Sequence, residues 1–279
     1  MKQSKLKVID SHLHFADFPG FDQIAIEAGH VNSADHLRQA YDTYQYAHGI
    51  VMSNKTLDPK AHVYPEFLSY CIGLDSAECN DDVEKALPLV EANLRDNPQC
   101  CGIKLYPGYN HYYVSDTRYD PVFELARKYK VPVAIHTGLT ATANGLLKYS
   151  HPLTLDEAAV KFPDVQIVMC HFGNPFLQDA IAVLEKDPNV AVDLSGLLEG
   201  KIHDMQAFMD EKRGYINMLH DWLSYVGAGI YKRVMFGTDW PLANLGDYIT
   251  FVKEFIPPQY WDDVFFNNAN RIYRLGLTR

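Results

Sequence analysis

The strongest constraint in this sequence is a count: eight short apolar runs, separated by longer amphipathic stretches. The runs occupy 7–14, 49–53, 67–74, 100–106, 131–137, 165–171, 189–195 and 233–239. Most are nearly continuous in β-branched and other apolar residues, with no one-face alternation. Such runs fit parallel strands buried on both faces. The stretches between them carry helix signals. Ser33 is placed to cap a helix through Tyr46, and Asp81 or Asp82 to start one that ends before Pro98. Asp120 before Pro121 reads as a cap with proline at the first helical position, and Asn174-Pro175 repeats that signal. Thr154-Leu155-Asp156-Glu157 reads as a capping box, on a helix that stops near Pro163. The stretch 205–226 has room for more than one helix, and 262–275 is helical in pattern, with Gly276 as its end.

Eight strands alternating with helices over 279 residues is the arithmetic of one α/β domain, a (β/α)8 TIM barrel spanning 1–279. The rival, a doubly wound open sheet, is expected to open with a glycine-rich phosphate loop after its first strand. Here that place is taken by Asp10-Ser11-His12-Leu13-His14. In a barrel, the insertion 17–30 and the tyrosine-rich loop 108–117 would lie over the active-site mouth.

Composition excludes several function classes. The chain is 47% apolar and 22% charged, which leaves ample material for a core and argues against disorder. Its net charge of −10 disfavours nucleic acid and anionic membranes as partners. No run of about 18 apolar residues is present to span a bilayer, and no apolar signal region precedes the first strand. Five cysteines, two of them adjacent, do not form a disulfide framework. A reduced, cytoplasmic setting is the expectation.

The chemistry-bearing residues sit at strand ends. The first run carries Asp10, His12 and His14; strict alternation puts all three on one face, where two imidazoles can reach one ion. The fourth run carries Lys104, the fifth ends at His136 and the sixth at His171, the seventh holds Asp193 and Ser195, and the eighth ends at Asp239. A barrel gathers these ends around one rim. Neutral imidazole and carboxylate suit Zn²⁺, Mn²⁺ or Fe²⁺, and three or four such ligands leave a position open for water. Asp10 fits the role of orienting a ligand histidine. Lys104 has three readings: a carboxylated bridge between two ions, a bare ammonium holding a substrate anion, or a side chain that snorkels to the mouth. Tyr106, Tyr109 and Arg118 are candidates to contact an aromatic or anionic small-molecule substrate, and Trp240 a candidate pocket wall. Ser195 lacks a base signature. Cys170 precedes His171 and is expected on the opposite face, in the core.

These motifs resemble the amidohydrolase-related family, the branch of the amidohydrolase superfamily that holds metal-dependent hydrolases and the aminocarboxymuconate-semialdehyde and resorcylate decarboxylases. The resemblance rests on Asp10-Ser11-His12-Leu13-His14, the segment from Gly102 to Pro107, and Ala134-Ile135-His136-Thr137-Gly138. It continues through Cys170-His171-Phe172-Gly173, Val192-Asp193-Leu194-Ser195-Gly196, Phe236-Gly237-Thr238-Asp239-Trp240-Pro241 and the stretch from Asn267 to Tyr273. It implies a distorted barrel with metal at the C-terminal rim. His12, His14, His136 and Asp239 would be the ligands. His171 would serve as acid–base group or, with a carboxylated Lys104, hold a second ion. It also implies a homo-oligomer as a possible assembly. The leading expectation is a hydrolase in which Asp239 takes a proton from metal-activated water and His171 stabilises the oxyanion, acting on a small carboxylated, lactone or amide metabolite. The alternatives are a decarboxylase of the same fold and a barrel that binds without catalysis.

Overall fold

The computed structural model describes residues 6–15, 20–54, 56–75 and 82–278. Every expected strand forms, in the expected order: β1 Val8–Leu13, β2 Tyr46–Met52, β3 Leu68–Leu74, β4 Cys100–Leu105, β5 Val133–Ile135, β6 Ile167–Met169, β7 Val190–Asp193 and β8 Val234–Met235. They pair in parallel from β1 through β8 in one sheet. Beyond β8, His14 N–H donates to the Trp240 carbonyl at 2.7 Å and Asp239 N–H to the His12 carbonyl at 2.8 Å, drawing the last strand onto the first. Helices fill the connections, giving a (β/α)8 barrel.

Two apolar layers hold it together. Inside the barrel lie Ile9, Ile50, Met52, Cys71, Ala134, Val168, Cys170, Ala191 and Met235. Phe266, Ala269, Ile272 and Tyr273 join that layer, so the C-terminal helix Asn268–Ile272 plugs the end of the barrel opposite the mouth. Burying a side chain such as Phe266 stabilises the fold by about 2–3 kcal/mol relative to exposure. The outer layer seats the helices on the sheet through residues such as Leu37, Phe123, Leu184 and Phe251. Among the described residues no helix is long and apolar enough to cross a membrane.

Several helix boundaries differ from expectation for local reasons. Ser33 Oγ accepts His36 N–H at 3.2 Å and caps Ala34–Tyr44. Asp82 caps Val83–Asp96 in the same way; Asp81 lies outside the described residues. Asp120 is instead the first residue of Asp120–Tyr129, with Tyr119 at the cap. The capping box does not form, because Thr154 Oγ1 donates back to the His151 carbonyl at 2.7 Å; its helix, Thr154–Lys161, does stop short of Pro163. Asn174-Pro175 is a cis peptide and the helix begins later, at Leu177. The stretch 205–226 splits into Met205–Glu211 and Arg213–Val226. The C-terminal pattern becomes a π-turn, Asp263–Asn267, followed by Asn268–Ile272, so helix ends before Gly276. The insertion after β1 contains the helix Phe21–Glu27, its residues 17–19 lying outside the described residues.

Candidate metal centre and active site

The strands stop early on purpose-built turns. β6 ends at Met169, and His171 and Phe172 then take left-handed φ of 62° and 50°. Asp239 has φ 62°, four residues past β8. These reversals aim side chains across the mouth. The result is a cavity of about 510 Å³ lined by His12, His14, Lys104, His136, His171 and Asp239, with Phe21, Tyr106 and Tyr109 on its walls. That size suits a small metabolite.

Hydrogen bonds to fixed acceptors decide which ring nitrogen of each histidine carries its lone pair. His12 Nδ1 donates to Asp193 Oδ2 at 3.0 Å, and His14 Nδ1 to the Met52 carbonyl at 3.0 Å. His136 Nε2 donates to the Leu139 carbonyl at 3.0 Å. A carbonyl or carboxylate can only accept, so Nε2 of His12 and His14 and Nδ1 of His136 are left as lone-pair donors. Asp239 Oδ1 lies 3.4 Å from His12 Nε2 and 3.3 Å from His14 Nε2. His12 Nε2 and Asp239 Oδ1 are both buried and have no hydrogen-bond partner among the described residues. Two buried lone-pair atoms facing each other repel unless a cation stands between them. The donor set, imidazole nitrogen and carboxylate oxygen, is that of a divalent transition metal.

Electrostatics agrees. Burial lowers the pKa of His12, and that of His136 well below its usual value; it brings His171 to about 4, keeping the rings neutral as ligation requires. Burial pushes Asp239 up, but the surrounding His14, His171 and His12 rings outweigh it and hold the carboxyl well below the carboxylate range.

Asp193 organises the floor. While Oδ2 takes His12, Oδ1 accepts the backbone N–H of His171 at 3.0 Å and of Ser195 at 3.1 Å, and the Ser195 hydroxyl at 2.5 Å. With its proton committed to Asp193, Ser195 Oγ accepts from His171 Nδ1 at 2.9 Å. His171 therefore presents a free Nε2. Gly196 makes room: a Cβ there would come within 2.8 Å of His171 Nδ1.

Lys104 is fully buried. Its Nζ donates to Cys170 Sγ at 2.8 Å, and the Tyr106 ring centre is 5.2 Å away. It does not snorkel. No ion pair joins it to a carboxylate among the described residues, and it lines the cavity.

The match to the model of the family described as Amidohydrolase covers residues 9–275. The chain belongs to this family. No curated protein matches it in sequence. Among solved structures it is similar to an uncharacterised TIM-barrel protein from Bordetella bronchiseptica, at 17% identity and TM-score 0.71, covering 96% of this chain and 99% of that one. It is also similar to 2,6-dihydroxybenzoate decarboxylase from Rhizobium, at 16% identity and TM-score 0.65, covering 97% and 99%. A third is 5-carboxyvanillate decarboxylase from Novosphingobium aromaticivorans complexed with manganese and 4-hydroxy-3-methoxy-5-nitrobenzoic acid, at 14% identity and TM-score 0.65, covering 98% and 97%.

Not every residue picked out in the sequence reaches the cavity of this amidohydrolase. Tyr106 and Tyr109 do. The Tyr106 hydroxyl donates to the Ser53 carbonyl at 2.9 Å, and Tyr109 accepts Ala141 N–H at 2.8 Å with its ring 4.8 Å from that of His136. Arg118 does not line it: its guanidinium stacks on Tyr112 at 3.5 Å and pairs with Asp116 at 3.2 Å. Trp240 is fully buried behind the site, its ring 4.7 Å from His30 and 6.2 Å from His36. Left-handed Asp239 turns the chain so that the next side chain points into the helix layer. Among the described residues Asp10 makes no hydrogen bond to an imidazole ring, accepting from His12 only its backbone N–H at 3.3 Å. It accepts Thr238 N–H at 2.9 Å and the Thr238 hydroxyl at 2.5 Å, bracing the loop before Asp239. Cys170 is not turned away from the site but lies beneath it, in the inner layer with its Sγ on Lys104. Its thiol is pushed well above the usual range by burial, so it serves as packing rather than nucleophile. The orienting role of Asp193 and the relay through Ser195 are the functional features that sequence reasoning missed.

Proposed function

We propose that this amidohydrolase is a metal-dependent decarboxylase of a small phenolic or enoic carboxylic acid. The observation that carries the reading is Lys104: a buried amine at the cavity floor, beside the metal-type donors, with no carboxylate in ion-pair contact with it among the described residues. A buried charge without a partner is costly, and a substrate carboxylate entering the cavity supplies the missing anion. The fold shared with 2,6-dihydroxybenzoate and 5-carboxyvanillate decarboxylases supports the same reading, as does the manganese in the latter structure. Hydrolysis, the leading expectation from sequence, gives way on these two grounds.

His12, His14, His136 and Asp239 would hold one divalent ion. When bound, it supplies a Lewis acid that draws electron density from substrate oxygens. Lys104 anchors the carboxylate. His171 Nε2, held by Ser195 and Asp193, accepts the substrate's hydroxyl proton. His171 delivers a proton to the ring or vinyl carbon that bears the carboxylate, and the bond from that carbon to the carboxylate then breaks, its electron pair restoring the π system as CO₂ leaves. Tyr106, Tyr109 and Phe21 pack the planar body and limit water.

The test is a panel of 2-hydroxybenzoic and enoic acids, alongside lactones and amides, offered to protein loaded with Mn²⁺ or Zn²⁺. CO₂ released in step with loss of one of the acids is the expected result. Hydrolysis of a lactone or amide with no CO₂ from any acid overturns the reading.

A further inference from the structure

A second cavity lies at the end of the barrel opposite the catalytic mouth. It is a cleft of about 620 Å³, lined by Lys130 and Pro132 before β5, Asp164 and Gln166 before β6, and Arg271 and Arg274 at the C-terminal plug, with Arg127 beside them. Four cations thus face one carboxylate, on a chain whose net charge is −10. Arg127 is satisfied, by Asp164 at 2.7 Å and Glu124 at 2.5 Å. Arg271 donates one nitrogen to the Lys232 carbonyl at 2.5 Å. No ion pair joins Lys130, Arg271 or Arg274 to a carboxylate among the described residues.

Cations at helix C-termini offset the helix dipole, and Lys130 and Arg274 each follow a helix end. That accounts for charge at each end singly. It does not account for their backbone. Lys130 and Arg274 have φ of 55° and 54°, a conformation that glycine or asparagine takes with far less strain. Two of the chain's left-handed non-glycine positions thus carry cations, and both line the same cleft with Arg271. Charges farther away than a Debye length of roughly 8–10 Å are largely screened, so the cleft's own groups set its local field. Two guanidinium groups and an ammonium around one cleft match an oxyanion of two or more charges.

We propose that this cleft binds a small polyanion, a phosphate ester or a compound of like charge, at a site separate from the catalytic cavity. Only local electrostatics in the cleft decides the outcome, so the proposal stands apart from the decarboxylase reading.

The experiment is calorimetric titration of the full, metal-loaded chain with inorganic phosphate and with succinate at low ionic strength. The comparison proteins are the double variant Lys130→Gly/Arg274→Gly and, as a control for the catalytic cavity, Lys104→Met. Glycine suits both backbone positions, so the double variant keeps its fold, which the melting temperature verifies. The expected result is one phosphate site per chain, weakened about tenfold or more in the double variant, unchanged in Lys104→Met, and weakening as salt rises. Succinate binding as tightly as phosphate assigns the cleft to dianions generally; phosphate alone assigns it to phosphate compounds. Binding lost in Lys104→Met but kept in the double variant, or no phosphate binding at all, overturns the proposal.

Discussion

Asp193 and His12 are joined by one hydrogen bond, Nδ1–H to Oδ2 at 3.0 Å, with both side chains fully buried. The same carboxylate holds the His171 and Ser195 backbone and the Ser195 hydroxyl. One acid thus aims a candidate metal ligand and the candidate proton carrier together. Burial pushes its pKa up, but the His12 ring and the hydrogen bond it donates, with His171 and Ser195, outweigh that and hold it well below the carboxylate range. Replacing Asp193 by Ala strands several buried N–H groups, each of which costs about 1–3 kcal/mol when unpaired. The expected outcome is a clear fall in melting temperature and a metal affinity lower by about 10- to 100-fold. Titration of Asp193→Ala with Mn²⁺ checks it; unchanged affinity would remove Asp193 from the centre.

Lys104 should show stability and function pulling in opposite directions. Lys104→Met keeps an unbranched side chain one atom shorter and removes the buried amine, which has no ion-paired carboxylate among the described residues. Exchanging buried charge for apolar packing is often neutral or stabilising, by about 1–4 kcal/mol. Melting temperature is expected to hold or rise while affinity for carboxylic acids falls by about tenfold or more. A variant that melts lower yet binds acids as well as the parent would contradict both halves. Elemental analysis of the parent belongs with this experiment, and one ion per chain is the expected count.

The fold was legible because eight apolar runs map one to one onto eight strands, and strand ends of a barrel meet at one rim. Hence His12, His14, His136, His171 and Asp239 could be named together. The errors sit where backbone departs from regular geometry. Alternation along β1 put Asp10 beside His12, but the register shifts between Asp10 and Leu13. Ile9 therefore faces the inner layer while Leu13, four residues on, faces the outer one. Asp10 is left bracing Thr238, and the orienting carboxylate comes from β7 instead. Likewise, the left-handed turn at His171 lets Cys170 and His171 both face inward, which no period-two pattern predicts. Arg118 adjoins the tyrosine-rich loop and Trp240 follows Asp239, but Arg118 is held by Tyr112 and Asp116 and Trp240 turns into the helix layer.

His48 gives a pH dependence whose sign follows from its burial. It sits in β2, with Nε2 2.9 Å from Ser69 Oγ, and burial lowers its pKa from 6.5 to about 4. The unfolded chain protonates below about 6.5 and the folded one only near 4. This histidine's contribution is therefore fully present above pH 6.5 and lost as pH falls toward 4, by about 3 kcal/mol at most. His48→Gln retains a partner for Ser69 and removes the titration. Its melting temperature is expected to decline less between pH 7 and 4 than that of the parent. Parallel curves for the two proteins would place the acid sensitivity elsewhere.

Gly196 tests whether the pose of His171 matters to chemistry rather than to folding. It has φ +66°, and an added Cβ would meet His171 Nδ1 at 2.8 Å and Asp239 Oδ2 at 3.3 Å. Gly196→Ala must therefore displace the imidazole or the strap that carries residue 196. The left-handed backbone alone costs about 1–2 kcal/mol with alanine, a modest loss for a domain of this size. The effect on turnover should be larger, because shifting an acid–base group by a fraction of an ångström to one ångström removes roughly 100-fold in rate. Metal content is measured alongside, because the Cβ also comes within 3.3 Å of Asp239 Oδ2, and only a variant that keeps its metal isolates the effect on His171. A fall in kcat with metal content and fold preserved identifies His171 as the group that works on substrate. Parent-like turnover in Gly196→Ala would show that the Ser195–His171 alignment is dispensable, and would move the proton transfer to Asp239.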